Sequence, residues 1–317
     1  MLTTGEAGMH SQAMGLADAV GLPVVEKRAG VKRPWSWLPG GLVPVPLSAL
    51  DTPDGALLPP WPRLVVACGR RSIGAALAVK RSSRGRTLAA YVQHPELARP
   101  QFDLVAALPH DGVAGPNVVT VRTALHPITP ARLILAGAEW RHRLAPRGER
   151  LLGVLLGGDN ARYRLSATIM ARLVAILKRA HAEHGYSVVI TPSRRTGEEP
   201  KRFLAQALAG SAWASIWDGE GPNPYAGILA LSERLIVTGE SISMISEALA
   251  TGKPVHVLPL EGRGGRHDAF LKRIVGERLV SLIGTDDLDW KFAGQKPVYS
   301  TAEPARRIRA LLGLDPA

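Results

Sequence analysis

The segment SERLIVTGESISMISEALATGKPVHVLPL, residues 232–260, gathers the groups best suited to chemistry. An apolar run ends at Thr238, then Gly239, Glu240 and Ser241 stand at the entrance of a helical pattern that carries Met244, Glu247 and Ala248 until Gly252 stops it. The hydroxyls of Ser241 and Ser243, the unpaired amides of a first helical turn and its partial positive charge together suit a diphosphate. Glu247 follows within two turns, where a carboxylate can accept two hydrogen bonds from a ribose diol. The bland alternative is a serine-capped turn with a solvated glutamate.

Two further glycine-bearing junctions follow apolar runs. In LLGVLLGGDNARYRLS, Gly157 and Gly158 end a strand and Asp159, Asn160, Arg162 and Tyr163 precede a helix. That is a place for a phosphate or sugar, or else an Asx-type turn. In TTGEAGMHSQ, Gly5 and Gly8 permit a tight turn and close backbone approach before a helix. None of the three junctions carries the full G-x-G-x-x-G with an acidic residue ~20 positions later, which argues against a dinucleotide oxidoreductase. Glu26 comes near that distance from Gly5, but a single Glu before Lys27 and Arg28 is ordinary.

The elements that must position these groups alternate. The first round predicts a strand end at residues 1–4, a helix over 11–20, a strand at 64–67, a helix over 72–80 and strands at 87–93, 103–108 and 118–122. A helix over 130–144 leads into the polar APRGER, where the domain boundary is expected. The second round predicts the strand in LLGVLLGG, a helix over 166–184 and a strand at 187–191. Helices near 198–209 and 225–232, a strand at 234–238, a helix over 241–250 and a strand at 255–259 complete it. Short apolar runs separated by helices indicate parallel strands covered on both faces. The fold class expected is α/β, with two doubly wound Rossmann-like domains facing a cleft. The expected divisions are 1–147, 148–300 and a terminal helix over 301–317 that packs back on the first domain. Residues 32–62, containing WSWLPGGLVPVPL, read as a packed irregular insertion. A sharper reading lets Trp35, Trp37 and Leu38, beside Lys32 and Arg33, rest on an anionic membrane surface.

Composition bounds the partners. The 317 residues, 46% of them hydrophobic, can fill two cores, and the single Cys68 excludes an intrachain disulfide. The start MLTTGEAGMH does not read as a signal peptide, and no apolar run approaches the ~18 residues of a membrane span. The net charge is +12, with 18 Lys and Arg against 10 Asp and Glu in residues 1–150, leaving 21 against 17 beyond. The N-terminal half is therefore expected to meet an anion. Nucleic acid is disfavoured, because the basic residues are not interleaved with aromatics and no binding motif is present.

Taken together, NPYAGILALSERLIVTGESISMISEALATGKPVHVLPL, GGDNARYRL, TPSRRTGEEP, CGRRSIGAALAVKR and GEAGMHSQAMGLADAVG resemble the mitochondrial fission ELM family across nearly the whole chain and in the family's order. That family is in turn similar to GT-B glycosyltransferases. The resemblance implies a nucleotide-sugar donor held by the C-terminal domain. It assigns Ser241, Ser243 and Met244 to the diphosphate, Glu247 to the ribose, and Ser193, Arg194, Arg195 and Thr196 to the same ligand. Thr238, Gly157 and Gly158 belong to that donor side, while Gly5, Gly8, Gln12, Arg70 and Arg71 fall on the acceptor or interdomain side. An arginine beside a diphosphate is apt, since its planar fork pairs with phosphate oxygens.

This chain has only Leu2, Thr3 and Thr4 between Met1 and Gly5, fewer than the family usually has, which implies a short first strand or a start further upstream. Met9 stands where the family commonly has His, with His10 one residue later. The implied enzyme transfers a sugar to an unknown acceptor, with helix amides and arginine stabilising the departing nucleoside diphosphate and no cofactor or metal required. No D-x-D ends a strand, and Asp286, Asp287 and Asp289 in TDDLD read as a turn. The base is sought among His10, Asp103, His110 and Asp111, with His10 and Asp111 preferred. A basic acceptor side suggests an anionic cell-envelope acceptor, and the location implied is cytoplasmic and peripheral at the inner membrane. Two rivals are a binding protein that kept the fold without the chemistry, and a nucleotide-sugar epimerase of the same type. The role of plant members in recruiting fission machinery at the mitochondrial surface follows from none of these residues.

Overall fold

The structure, a computed structural model, describes residues 1–284 and 287–314. The chain forms two compact units, Met1–Pro127 joined by residues from Tyr299 onward, and Ile128–Val298.

The first unit is built on a six-stranded parallel sheet of β1 (Leu2–Thr3), β2 (Lys27–Arg28), β3 (Leu64–Cys68), β4 (Leu88–Val92), β5 (Leu104–Ala107) and β6 (Val118–Thr120), in the order β2-β1-β3-β4-β5-β6. LVVAC in β3 and LVAA in β5 are apolar throughout because helices cover both faces of a parallel sheet. Helices α1 (Ala7–Val20) and α2 (Ile73–Ser82) bury Leu16, Val20, Ile73, Leu77 and Val79. The order of strands reverses between β1 and β3, so the loops after these two strands flank the switch point, where open α/β sheets bind ligands.

The terminal helix of this unit (Ala302–Leu311) contacts α1, and Arg309 donates to the Val20 carbonyl at 2.8 Å. Residues 32–62 pack irregularly. Two single 3-10 turns (Trp35–Trp37 and Leu47–Ala49) and an antiparallel pair, Gly30–Val31 with Leu50–Asp51, bring Val45, Ala49 and Leu50 into the core.

The second unit holds β7 (Leu151–Leu156), β8 (Ser187–Pro192), β9 (Ala214–Ile216), β10 (Ser232–Thr238), β11 (Val255–Leu258) and β12 (Ser281–Leu282), all parallel, in the order β9-β8-β7-β10-β11-β12. Numbered within the unit this is 3-2-1-4-5-6, the Rossmann order, with its switch point between β7 and β10. The six residues of β7 are all buried. Gly153 is required there, since a Cβ would lie 2.4 Å from Ser232 Oγ and 2.5 Å from Ile228.

The chain division falls after Pro127 rather than at APRGER. Helix α3 (Pro130–Leu144) belongs with the second unit because it docks on α6 (Tyr225–Leu231), where Gly227 leaves room for the Trp140 ring and Gly137 faces Ala230 and Leu231. Helix α4 (Ala167–His184) is capped by Ser166, α5 spans Glu198–Ala207, α7 Ile242–Leu249 and α8 Gly265–Gly276. Strands β2, β9 and β12 and helix α8 were not expected from sequence. These strands of two or three residues are too short to show alternation, and α8 buries only Phe270 and Ile274. Among the described residues no helix is long and apolar enough to cross a membrane.

Candidate functional site

In the second unit, the residues singled out by sequence converge at the carboxyl ends of β7, β8 and β10, beside the switch point. The Gly157 N–H donates to Thr238 Oγ1 at 2.8 Å, tying the end of β7 to the end of β10. Gly158 N–H points at Glu240 Oε1, 3.3 Å away. Both glycines are there for space. A Cβ on Gly157 would stand 1.7 Å from Glu240 Oε1, and one on Gly158 would stand 2.1 Å from the Arg195 carbonyl oxygen.

The SRRT turn after β8 is held against the same strand end. Ser193 N–H donates to Leu156 O at 2.8 Å and to Thr196 Oγ1 at 2.9 Å, while Thr196 Oγ1 reaches Leu156 O at 3.1 Å and Gly157 O at 2.5 Å. Ser193 and the buried Thr196 therefore build the turn, and Arg194 and Arg195 are the groups it leaves exposed. Arg195 extends a guanidinium N–H to Glu240 Oε1 at 3.1 Å.

Glu240 is a centre of this arrangement, although its sequence context marks it only as a helix-entrance residue. Its side chain is 0% exposed, it receives Gly158 N–H and Arg195, and its Oε2 has no hydrogen-bond partner among the described residues. His267 on α8 stands with it. Burial first, and then the charges of Arg162 and Arg195, hold its imidazole below the ordinary value, against the raising effect of the Glu240 backbone. The signal for Glu240 was its place between Gly239 and Ser241, whereas His267 sat in a helix without strong periodicity.

Ser241 caps α7, its Oγ accepting Met244 N–H at 3.4 Å, and Ser246 Oγ bonds back to the Ile242 carbonyl. The first turn of α7 thus carries amides with no intrahelical partners, and Ser241, Ser243 and Met244 are all half-buried around it. Glu247, 7% exposed, accepts a hydrogen bond from the Tyr225 hydroxyl. Burial, reinforced by the Glu247 charge, drives the Tyr225 phenol well above its usual range, so it keeps its proton and donates. One oxygen of the ribose-binding candidate is therefore fixed by a tyrosine that the sequence marks only as part of a helix.

Asp159 and Asn160 take the plain turn role: Asp159 Oδ1 accepts Leu165 N–H, and Asn160 Oδ1 accepts Arg162 and Tyr163 N–H. In TDDLD, Asp286 lies outside the described residues. Asp287 pairs with Arg179 and accepts the Trp290 indole N–H, and Asp289 accepts Lys291 N–H.

The first unit has its own switch-point loops. Gly5 turns the chain after β1 at φ +98°, whereas Gly8 lies inside the first turn of α1 and not in the loop. The helix starts earlier than expected because Ala7, Met9 and His10 continue its register. His10 Nε2 lies 2.7 Å from Glu26 Oε2, so this histidine has a carboxylate orienting its ring. Gln12 is buried and accepts from Gln93 Nε2 at 3.4 Å. After β3, Gly69 at φ +99° leads into Arg70 and Arg71, and Arg70 pairs with Glu96 at 2.5 Å.

The other base candidates have structural work. Asp111 Oδ2 accepts Leu108 N–H and closes the turn after β5, in which His110 also lies. Asp103 precedes β5, at the opposite edge of the sheet from the switch-point loops, where it holds Ala89 N–H and Lys80 Nζ.

Two parallel six-stranded Rossmann-like units define an α/β protein of the GT-B type. The chain belongs to the mitochondrial fission ELM1 family, whose model matches residues 7–312. It is 31% identical over 274 residues to mitochondrial fission protein ELM1 of Arabidopsis thaliana, covering 78% of this chain and 63% of that protein. It is 24% identical over 209 residues to an uncharacterized protein of Rickettsia prowazekii (strain Madrid E), covering 65% and 58% respectively. The chain thus matches 63% and 58% of the length of these two curated relatives. Among solved structures it is similar to UDP-GlcNAc 2-epimerase of Methanocaldococcus jannaschii in complex with UDP-GlcNAc and UDP, at TM-score 0.50 and 17% identity, covering 79% of this chain and 75% of that one. The Neisseria meningitidis UDP-GlcNAc 2-epimerase bound to UDP-GlcNAc gives TM-score 0.50 at 14% identity, with 79% and 76% covered. At such identities the likeness defines the fold.

Proposed function

We propose that the second unit binds a nucleoside-diphosphate sugar and that the protein transfers the sugar to an acceptor. The observation that carries this reading is the convergence of the Gly157–Gly158 turn, Arg195 and the capped first turn of α7 at the switch point of a 3-2-1-4-5-6 sheet. The similar epimerases that hold UDP or UDP-GlcNAc support the ligand class.

In this reading the diphosphate lies on the α7 amides and the Ser241 and Ser243 side, with Arg194 and Arg195 beside it, and the ribose diol meets Glu247. An acceptor oxygen forms a bond to the anomeric carbon as the bond from that carbon to the diphosphate oxygen breaks. The nucleoside diphosphate leaves with the electron pair, and its charge is met by the amides and arginine rather than by a metal. The acceptor proton passes to a base for which His10, oriented by Glu26, is the better candidate, since Asp111 is spent on its own turn. Contact of the exposed Trp37 and Leu38 with an anionic membrane surface, and a place at the inner face of a membrane, are part of the same proposal.

The test is the melting temperature with uridine, guanosine, adenosine and cytidine diphosphates and their sugars, for wild type and Glu247→Ala, together with release of nucleoside diphosphate from the selected sugar. Saturation at ~100 times Kd adds about 2.7 kcal/mol. For units of this size that is a rise of roughly 5–10 °C, expected for one base and absent in the variant. Stabilisation without release, unchanged by His10→Ala, would favour a binding protein that kept the fold without the chemistry. No rise with any nucleotide would overturn the proposal.

A further inference from the structure

The first unit carries an open pocket of about 330 Å³ that the proposed donor site does not use. That volume lies at the small end of the range that holds organic ligands, about 300–1,000 Å³. Four cations line it, Lys32 and Arg33 from the chain leaving Gly30–Val31, and Arg70 and Arg71 from the turn after β3. The turn after β3 is one of the two loops that flank the switch point of this sheet. Ser36, Trp37 and Asp51 supply the rest of the polar and aromatic lining.

Backbone bonds place these groups. Lys32 N–H donates to Ala49 O at 2.9 Å, Ser36 N–H donates to Lys32 O at 3.0 Å, and Gly69 at φ +99° turns the chain into Arg70. Arg70 spends its Nε on Glu96 at 2.5 Å, and Glu96 also accepts Gly40 N–H. Arg71 lies beside Gly30, with its Nε and Nη2 each 3.8 Å from the position a Cβ there would take, and Arg33 stands over the Trp37 ring at 5.8 Å. Among the described residues the Nη groups of Arg70, the Arg71 guanidinium and the Lys32 ammonium have no hydrogen-bond acceptor. The four cations set against two carboxylates, Asp51 and Glu96, leave an excess of two positive charges. A phosphomonoester, with about −1.5 to −2 at pH 7, balances that excess.

Guanidinium forks suit phosphate oxygens. The remaining lining suits a polyol. A carboxylate among the cations repels a bare anion, yet Asp51 can accept hydrogen bonds from ring hydroxyls, and Ser36 can donate or accept. The Trp37 indole, 69% exposed, offers a flat apolar face for a sugar ring. We infer that this pocket binds a phosphorylated sugar, with its phosphate on Lys32, Arg70 and Arg71 and its ring hydroxyls on Asp51. As the class of acceptor this deepens the transferase reading and rests on it. As a binding site it stands on the first unit alone.

The test uses the full chain, titrated calorimetrically at fixed ionic strength with glucose 6-phosphate, N-acetylglucosamine 6-phosphate, inorganic phosphate and glucose. At least one sugar phosphate should bind about tenfold or more tightly than inorganic phosphate and than glucose, and Arg71→Gln should weaken it by about tenfold or more. Lys32→Gln serves as a second charge variant, and Lys178→Gln, on α4 of the second unit, makes the same charge change away from the pocket and should have no effect. Asp51→Asn should lower affinity for the sugar phosphate without lowering that for inorganic phosphate. Equal binding of inorganic phosphate reduces the pocket to an anion site. That result, no binding of either sugar phosphate, indifference to both Arg71→Gln and Lys32→Gln, or equal weakening by Lys178→Gln overturns the inference. Glu247→Ala should leave this binding unchanged, so failure of the nucleotide panel and failure here are read separately.

Discussion

Gly158→Ala probes the packing on which the proposed donor site depends. A methyl group built there lies 2.1 Å from the Arg195 carbonyl oxygen, 2.4 Å from its carbon and 2.7 Å from Thr196 N. An ordinary carbon contact needs ~3.5 Å, so the SRRT turn would have to retreat by more than ~1 Å. That turn cannot yield cheaply, because Ser193 N–H and Thr196 Oγ1 fasten it to the end of β7. Overpacking against fixed backbone costs about 3 kcal/mol, which for a unit of this size lowers Tm by roughly 6–12 °C. Two other glycines supply controls. Gly276 ends α8 with open space around its Cβ position and no positive φ, so Gly276→Ala should be neutral or stabilise by a few tenths to about 1 kcal/mol. Gly185 also has open space but sits at φ +70°, so Gly185→Ala should cost about 1 kcal/mol from backbone alone. Differential scanning calorimetry of the three variants gives the ranking. A Gly158→Ala protein melting within a degree or two of wild type would refute the close approach of the two turns.

Other variants test separate parts of the second unit. His256 is buried in β11 and burial pushes its imidazole down to about 4. The unfolded chain takes up that proton at the ordinary 6.5, so stability is full above 6.5 and falls as the pH drops toward 4, by at most about 1.4 kcal/mol per pH unit. His256→Val should flatten that limb in urea titrations run across the window. Lys253 Nζ donates to the Leu229 and Ala230 carbonyls at the end of α6, and Lys253→Met should cost about 1–3 kcal/mol in urea unfolding. Arg195→Ala removes the guanidinium from the fully buried Glu240 and should lower stability by about 1–3 kcal/mol. Arg194→Ala should change it by less than about 0.5 kcal/mol, and thermal melts of the pair separate the two arginines.

Much of the scaffold was legible because its signals were strong. β7 and α3 announced themselves as an unbroken apolar run and a long helical pattern, and the structure places them at Leu151–Leu156 and Pro130–Leu144. The strand-end glycines marked loops that close on one another, because closeness between loops demands residues without side chains, and Gly157 and Gly158 are such contacts. What stayed hidden depends on tertiary placement. Nothing local distinguishes Glu240 from any helix-entry glutamate until Arg195 and Gly158 arrive from other strands, and Tyr225 meets Glu247 only once α6 is folded beside α7. Asp103 looked like a strand-end acid, but it stands at the amino end of β5, away from the carboxyl ends of the strands. Gly8 looked like part of a loop and is helical, because a glycine in a first turn is tolerated when the flanking residues keep the register.

The central claim is that the second unit holds a nucleoside diphosphate at its switch point, and a crystal structure with the nucleotide selected by the melting panel tests it most directly. The account requires the diphosphate within hydrogen-bond distance of the first-turn amides of α7 with an arginine of the SRRT turn beside it, and the ribose diol on Glu247. A nucleotide seated elsewhere, or one whose ribose leaves Glu247 bonded only to Tyr225, would contradict it.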